Sequence, residues 1–151
     1  MANKTNAGII GIGVCLPEKV LTNADLTQVI DTTDEWIRER TGIQERRIAE
    51  ESQAASDLGV IAALRALAQA GVSANEVDLI IVATATADMQ FPSTACLIQE
   101  RLGVENIPAF DVTAGCTGFI YALTIANQFI ANGFYRTVLV IGAEVLSKVT
   151  N

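Results

Sequence analysis

The sequence predicts an α/β layered domain, in which a small sheet carries helices on its faces. Short apolar runs alternate along the chain with longer segments whose apolar residues recur at helical spacing. The clearest run, LIIVA from Leu79, is apolar at every position, as in a strand that is buried on both faces. The segment that starts at Cys116 is apolar almost all round, which indicates a helix enclosed between layers.

The elements follow in a regular order. The first run, GIIGIGVCLP from Gly8, is strand-like and closes at Pro17; its G-x-G pair lacks the third glycine of a dinucleotide-binding fingerprint. Two short helices are expected between Thr22 and Gly42, the second with an N-cap at Thr33. The later predictions are a helix over 56–70, a strand from 78, a helix over 94–102, a strand over 109–112, a helix over 116–133 and a last strand, TVLVIGAEV, from 137.

Length and composition limit the possible classes of protein. The chain has 151 residues, a net charge of -7 and a mean hydropathy of +0.37, which suits one domain that hides part of its surface against a partner. No apolar run is long enough to span a bilayer, and the polar start MANKTNAG is unlike a signal peptide, so we expect a cytoplasmic protein. The acidic balance argues against nucleic acid, and the mixed charges of RERTGIQERR, from Arg38, indicate a solvated face.

The stretch DVTAGCTGF, from Asp111, offers the chain's strongest candidate for chemistry. Cys116 follows a predicted strand and begins a predicted helix, where free N–H groups favour a thiolate over a thiol. Gly115 and Gly118 remove bulk around the sulfur, and the cysteine's own N–H could donate to an oxyanion. The order of strand, tight turn, nucleophile and helix follows the logic of a nucleophile elbow.

The alternative is that Cys116 is only a small residue at a crowded turn, and for Cys15 and Cys96 that structural role is the better interpretation. The three cysteines have no paired spacing and the chain contains no histidine, which argues against a zinc site and a disulfide framework. A catalytic thiolate normally has a histidine partner. If Cys116 is catalytic, the rest of its site must come from another polypeptide segment.

Four blocks, in order and over essentially the whole chain, resemble 3-oxoacyl-[acyl-carrier-protein] synthase III, a thiolase-fold family. The blocks are DTTDEWIRERTGIQERR, ADMQFPSTACLIQERLG, DVTAGCTGF and VLVIGAEVLSK. The resemblance implies a thiolase-like layered fold: a mixed sheet with helices on both faces and a buried central helix. It also implies that residues 1–151 form an N-terminal half-domain whose C-terminal half is absent from this chain.

The resemblance also implies roles for individual residues. Cys116 would take an acyl group from acetyl-CoA or another short acyl-CoA, and the enzyme would condense it with malonyl-acyl carrier protein, releasing carbon dioxide. At the coenzyme A entrance Trp36 would stack on adenine, Thr32 would hydrogen-bond it and Arg40 would contact phosphate. Phe91 would be the dimer-contact residue that reaches the partner's acyl pocket. Coenzyme A thioester is then a substrate, and no metal or permanently bound cofactor is expected.

The remaining catalytic groups, the histidine and asparagine of the family and a second oxyanion donor, would come from the C-terminal half of the same enzyme. The carrier-protein docking patch would lie there too, and the complete enzyme would be a homodimer that touches neither nucleic acid nor membrane. Three alternatives stay open: a synthase III-like enzyme of secondary metabolism, another thiolase-fold condensing enzyme such as a hydroxymethylglutaryl-CoA synthase or an aromatic polyketide synthase, and a non-catalytic assembly module.

Overall fold

The computed structural model describes residues 7–149, which form two compact units. The first unit contains residues 7–15 and 54–144, and the second contains residues 16–53 and 145–149. The polar start at 1–6 and the last two positions lie outside the described residues. The helices and strands, in chain order, are β1 Lys19–Thr22, α1 Asn23–Leu26, α2 Asp34–Thr41, β2 Glu45–Ile48, α3 Ala55–Ala70, β3 Leu79–Ala83, α4 Thr94–Leu102, β4 Ala109–Val112, α5 Gly118–Ala131 and β5 Val138–Gly142; short 3₁₀ turns cover Ala74–Glu76, Gly115–Thr117 and Leu146–Lys148.

The first unit is built on a three-stranded sheet in the order β4-β3-β5, with β3 parallel to both neighbours. All five residues of β3 are buried, because this central strand has a neighbour on each side and helices over both faces. The register pairs Ile81 with Phe110 of β4 and with Val140 of β5. The apolar run that predicted a fully buried strand is therefore confirmed. All the strand pairs described in this sheet are parallel, where a mixed sheet was expected.

Helices cover both faces of this sheet, as predicted. Alternate residues of β3, represented by Leu79 and Ile81, pack with Ala122 and Ala126 of α5. The other face of the sheet meets α3 and α4, since Gly59 of α3 lies against Ile98 of α4 and Ile141 of β5. The first unit thus has three layers, with α5 alone on one side and α3 and α4 on the other.

The strand predicted at 8–17 is not formed, because none of the described strands lies alongside it. The segment runs instead along α3, where the backbone N–H of Ile12 donates to Gln69 Oε1 at 2.6 Å and Arg65 Nη1 donates to the carbonyl of Val14 at 2.5 Å. A Cβ atom built at Gly13 would overlap the backbone carbonyl of Ala62. The two glycines of the G-x-G pair therefore serve close approach to a helix, and not a nucleotide.

Among residues 7–149, both edge strands of the sheet, β4 and β5, pair only with β3. The edge formed by β5 is the one next to the segment over residues 7–13. Beside this edge lies a cavity of about 760 Å³. It is lined by the segment over residues 7–13, by β5 and by parts of α3 and α5. The cavity therefore has β5 and the unpaired segment over residues 7–13 among its walls, together with parts of both helix layers.

Helix α5 is apolar on most sides but is covered on only one of them in the described structure. Its buried residues are Gly118, Ala122 and Ala126, which recur every four positions and face the sheet. Large apolar residues elsewhere on the helix remain exposed, including Ile120 at 60% and Tyr121 at 52%. The expectation of a helix enclosed between layers is therefore met on the sheet side alone.

The second unit contains an antiparallel pair of strands and two short helices. Strand β1 pairs with β2 in a register that joins Lys19 to Ile48; neither strand was predicted. Helix α2 has the predicted N-cap, with Thr33 Oγ1 accepting from the backbone N–H of Trp36 at 3.1 Å, and it ends at Gly42 as expected. Within residues 7–149, none of the helices combines the length and the apolarity needed to cross a bilayer.

Candidate functional site

Cys116 lies at an exposed turn between the parallel strand β4 and helix α5. The cysteine is the middle residue of the 3₁₀ turn Gly115–Thr117, and α5 begins two residues after it. The sequence placed Cys116 in the first turn of the helix itself, so that prediction is off by half a turn. Thr117 Oγ1 donates to the carbonyl of Ala114 at 2.9 Å, which closes the turn around the cysteine. A thiol at this carboxyl end of a parallel strand is open to a reactant.

The two glycines beside Cys116 each have a role in the backbone. Gly115 has a φ of 53°, in the left-handed region, and a Cβ atom there would meet nothing within 4 Å. A Cβ atom at Gly118 would lie 3.4 Å from Ala83 Cβ, on the sheet side of α5. Gly115 therefore allows the turn, and Gly118 allows α5 to lie close to β3.

Asp111 ties the strand before Cys116 to the start of helix α4. Its two carboxylate oxygens accept from the backbone N–H groups of Thr94 and Ala95, each at 2.8 Å. These amides belong to the first turn of α4, where N–H groups have no partner inside the helix. A carboxylate is well suited to this place because it also meets the positive end of the helix dipole. Asp111 belongs to the DVTAGCTGF stretch, but no sequence pattern predicted its partners.

The loop between β3 and α4 carries Phe91 and is fixed by two further carboxylates. Glu144 accepts from the backbone N–H of Ala85 at 2.7 Å and from Thr86 Oγ1 at 2.6 Å. Asp88 accepts from the backbone N–H of Ser56 and from its hydroxyl. Phe91 itself is 89% exposed. A large aromatic side chain is thus held out in solvent on a loop whose two ends are anchored.

The residues predicted to form a coenzyme A wall lie in the second unit. Trp36 is 54% exposed, and Arg40, one helical turn later on α2, places its guanidinium carbon 4.7 Å from the centre of the indole ring. Thr32 lies just before the helix and is half-buried. The structure therefore joins Trp36 and Arg40 in one cation–π contact. Cys116 and Phe91 belong to the first unit.

Helix α2 is anchored by a buried asparagine that the sequence did not single out. Asn23 is 1% exposed, and its Nδ2 donates to Asp34 Oδ1 at 2.7 Å and to the carbonyl of Ile43 at 2.8 Å. Its Oδ1 accepts from Arg46 Nη1, so that arginine does more than the solvated role predicted for it. The hydrogen bond from Asn23 is the main reason why the pKa of Asp34 lies below its ordinary value of 3.8. The Arg38 guanidinium, 3.3 Å away, lowers the pKa further, and desolvation partly opposes both.

Cys15 and Cys96 differ from Cys116 in exposure. Both are half-buried, whereas Cys116 is exposed. The sulfur of Cys96 lies 3.2 Å from Ser93 Oγ, beside the N-cap of α4. These positions agree with the structural role assigned to the two residues from the sequence. In the part of the chain that the structure describes, no three metal-ligating side chains come together.

Comparison with known proteins adds a family likeness to this geometry. Residues 110–151, which include Cys116 and β5, match the family model described as 3-oxoacyl-[acyl-carrier-protein] synthase III. The β-ketoacyl-[acyl-carrier-protein] synthase III of Caldanaerobacter subterraneus is 59% identical over 151 residues, which are 100% of this chain and 46% of the relative. The chain therefore spans about half the length of the curated relatives that it matches.

Solved structures give the same result for the fold. The 3-oxoacyl-[acyl-carrier-protein] synthase III of Aquifex aeolicus superposes with a TM-score of 0.92 at 54% identity, over 95% of this chain and 46% of that one. The priming β-ketosynthase of the R1128 polyketide biosynthetic pathway superposes with a TM-score of 0.94 at 37% identity, over 100% of this chain and 45% of that one. The predicted resemblance to synthase III and the predicted thiolase-like α/β fold class are both confirmed.

Proposed function

We propose that this chain is the N-terminal half of a 3-oxoacyl-[acyl-carrier-protein] synthase III and supplies the nucleophile of that condensing enzyme; in support, all of the chain matches 46% of such a relative. The relatives are transferases of fatty-acid biosynthesis. The observation that carries the proposal is the exposed turn of Cys116, which follows a parallel strand inside the region that matches the family model.

The first chemical step is acyl transfer to Cys116. The thiolate attacks the carbonyl carbon of acetyl-CoA or another short acyl-CoA, a C–S bond forms to the cysteine, and the coenzyme A thiolate leaves and takes up a proton. The negative charge that develops on the carbonyl oxygen needs donors, one of which would be the backbone N–H of Cys116. Coenzyme A therefore enters as part of a substrate, and the reaction needs no resident cofactor.

The second step joins two carbon atoms. Malonyl-acyl carrier protein loses carbon dioxide, its α-carbon attacks the acyl carbon held on Cys116, and the cysteine thiolate leaves as the 3-oxoacyl product forms. Decarboxylation places negative charge on the thioester oxygen of the malonyl group, which again calls for hydrogen-bond donors. The acidic carrier protein would be the macromolecular partner of this step, and the setting would be the cytoplasm.

A further portion of polypeptide is part of this proposal. The 151 residues contain no histidine, although thiolate chemistry of this kind normally uses one. Two features of the first unit support the idea that more chain covers it: the cavity beside the unpaired edge of β5, and the exposed apolar side of α5. We propose that residues 1–151 act as the N-terminal half-domain and that a C-terminal portion brings the remaining catalytic groups. Alone, the chain would be inactive in condensation.

The second unit would contribute to the binding of coenzyme A. An indole face suits a purine, and a guanidinium suits phosphate oxygens, so Trp36 and Arg40 together match the adenosine end of the molecule. Thr32 would add a hydrogen bond to the adenine. The exposure of Phe91 supports its proposed role as a contact to a second subunit, where it would close the partner's acyl pocket. The complete enzyme would then be a homodimer.

The test is selective labelling of the cysteines by iodoacetamide, read by mass spectrometry. The proposal predicts that Cys116 reacts before Cys15 and Cys96, and that acetyl-CoA slows its modification. Accessibility alone favours Cys116, so protection by acetyl-CoA, with adenosine as the control ligand, is the decisive result. Equal labelling of the three cysteines, or labelling of Cys116 that acetyl-CoA leaves unchanged, would count against an acyl-transfer site.

A second candidate function is the priming step of a polyketide pathway. It is favoured by the TM-score of 0.94 to the R1128 priming β-ketosynthase. The chemistry at Cys116 would be the same, and the difference would lie in the acyl group and in the carrier protein. Rates with acetyl-CoA and with longer acyl-CoA thioesters, measured on the complete enzyme, separate the two functions. A non-catalytic assembly module would show no thioester-dependent change at Cys116.

A further inference from the structure

Helix α2 is short, and most of its surface faces solvent. It contains eight residues, of which only Ile37 is buried. Isolated helices of this length do not persist in water, so the position of α2 depends on contacts with the rest of its unit. One apolar residue provides little of that support. The helix that carries Trp36 and Arg40 therefore needs an anchor of another kind.

Asn23 provides such an anchor, because its side chain reaches both ends of α2. The amide donates to the carboxylate of Asp34, the first residue of the helix, and to the carbonyl of Ile43, just beyond the C-cap at Gly42. One planar amide thus fixes the two ends of the helix with respect to each other. The bonds from a fully buried group are costly to break, since the freed donor has no water to bond.

The backbone and the carbonyl oxygen of Asn23 fix the anchor itself. The backbone N–H donates to the carbonyl of Gln44 at 3.2 Å, and Oδ1 accepts from Arg46 of β2. All the hydrogen-bonding groups of this side chain are therefore in use. Rotation of the amide would place a donor against Arg46 and an acceptor against Asp34. The network thus holds one orientation of the side chain.

We propose that Asn23 is a positioning residue that holds the Trp36–Arg40 pair in place to receive the adenosine end of a coenzyme A thioester. The inference rests on the proposed function for its ligand, and on the network described above for its geometry. Trp36 follows Asp34 by two residues, and Arg40 precedes Ile43 by three. A loss of either bond from Asn23 therefore moves the residues that flank the aromatic–cation pair.

The test exploits the fact that Trp36 is the chain's single tryptophan. In Asn23→Asp the donor to Asp34 becomes a carboxylate, so two negative groups face each other. We expect acrylamide quenching of Trp36 fluorescence to rise about twofold, and the affinity for coenzyme A, measured by the same fluorescence, to fall about tenfold. The double variant Asn23→Asp with Asp34→Asn re-forms the bond between positions 23 and 34 with donor and acceptor exchanged, but it leaves the carbonyl of Ile43 without its donor. It should therefore recover part, and not all, of the change in both values.

Two controls separate positioning from general destabilisation. Asp25→Asn disturbs the capping box of α1, in which Asp25 Oδ2 accepts from the backbone N–H and the hydroxyl of Thr22. These bonds do not involve α2, so the variant should leave Trp36 unchanged. If circular dichroism shows that Asn23→Asp is unfolded, Asp34→Ala is used in its place. This variant removes the bond between Asn23 and Asp34 at the more exposed of the two side chains. Asp34→Asn, which keeps an acceptor oxygen, is its matched control.

The outcomes distinguish the inference from the proposed function. The inference is overturned if Trp36 quenching in Asn23→Asp equals that of the wild type, or if the exchanged pair recovers none of the difference. The coenzyme A part of the proposed function fails if the wild-type chain shows no saturable change of Trp36 fluorescence with coenzyme A. In that case the quenching data still decide whether Asn23 positions the pair.

Discussion

The carboxylate of Asp111 accepts a hydrogen bond of 2.8 Å from the backbone N–H of Thr94. Asp111 lies on the strand that leads to Cys116, and Thr94 is the first residue of the helix that follows the Phe91 loop. A second bond of equal length, from the N–H of Ala95, completes the contact. The cysteine turn and the anchored loop are therefore joined through one acidic side chain.

Replacement of Asp111 by alanine should destabilise the first unit. Two helix amides would lose their acceptor, at a cost of about 1–3 kcal/mol in the free energy of unfolding. Asp111→Asn keeps one oxygen acceptor and should cost less. Urea denaturation measures both effects, and hydrogen exchange at Thr94 and Ala95 should accelerate in the alanine variant. Unchanged exchange at these two amides would show that Asp111 does not hold the helix start.

The two glycines beside Cys116 should respond differently to alanine. Gly115→Ala forces a left-handed φ on a residue with a Cβ atom, at a cost of about 1–2 kcal/mol. Gly118→Ala keeps a helical backbone at the first residue of α5 and makes only an ordinary contact with Ala83, so its net effect should be small. Thermal or urea unfolding of the two variants tests this. A larger loss for Gly118→Ala than for Gly115→Ala would contradict the backbone roles described above.

The stability of the second unit should depend on the ionisation of Asp34. Its pKa is lowered in the folded state, chiefly by the hydrogen bond from Asn23, so its charged form stabilises the fold above the ordinary pKa of 3.8. That contribution is lost as the pH falls through 3.8 toward the lower pKa of the folded state. The pKa of Asp25 is also lowered, mainly by its hydrogen bond with Thr22, so its charged form stabilises the fold in the same way.

The measurement is urea denaturation between pH 6 and pH 2.5 for the wild type and for Asp34→Asn, with Trp36 fluorescence as the probe. The wild type should lose more stability than Asp34→Asn as the pH falls below 3.8, because the variant has no proton to gain at position 34. Parallel pH profiles would show that the Asn23–Asp34 bond does not favour the carboxylate.

The strongest sequence patterns predicted the layered part of the fold correctly. The run over residues 79–83 is a central strand, and α3 and α4 begin and end within one residue of their predicted limits. These elements are specified locally, by caps, terminal glycines and apolar periodicity. The α2 helix was predicted for the same reason, since Thr33 and Gly42 mark its ends.

The errors arose where structure depends on distant partners. The segment over residues 8–17 has the residues of a strand but has no strand beside it among the described residues, and it lies on α3 instead. The short pair β1 and β2 was missed because its charged sequence has no clear alternation, and the strands are ordered by pairing between residues 23 to 29 positions apart.

The candidate site also contains residues that the local sequence predicts and residues whose roles depend on distant partners. Cys116 could be chosen from its strand–turn–helix setting, and its exposure agrees with that choice. Asn23 and Asp111 could not be chosen, because a buried amide and a strand-end carboxylate acquire their roles only from partners that are 11 to 23 residues away in sequence. The contact between Trp36 and Arg40 was foreseeable from their spacing of four residues, but only their separate roles were predicted.

The most direct test is a condensation assay on a fusion of this chain to the C-terminal portion of the Caldanaerobacter subterraneus synthase III, with which it shares 59% identity. The fusion should convert acetyl-CoA and malonyl-acyl carrier protein to acetoacetyl-acyl carrier protein. Its Cys116→Ala form should give no product, and its Cys96→Ala form should stay active. The 151-residue chain alone should form none. Three results would contradict the proposal that Cys116 is a nucleophile completed by a second portion of polypeptide. They are product from the chain alone, product from the Cys116→Ala fusion, and no product from a folded fusion that keeps Cys116.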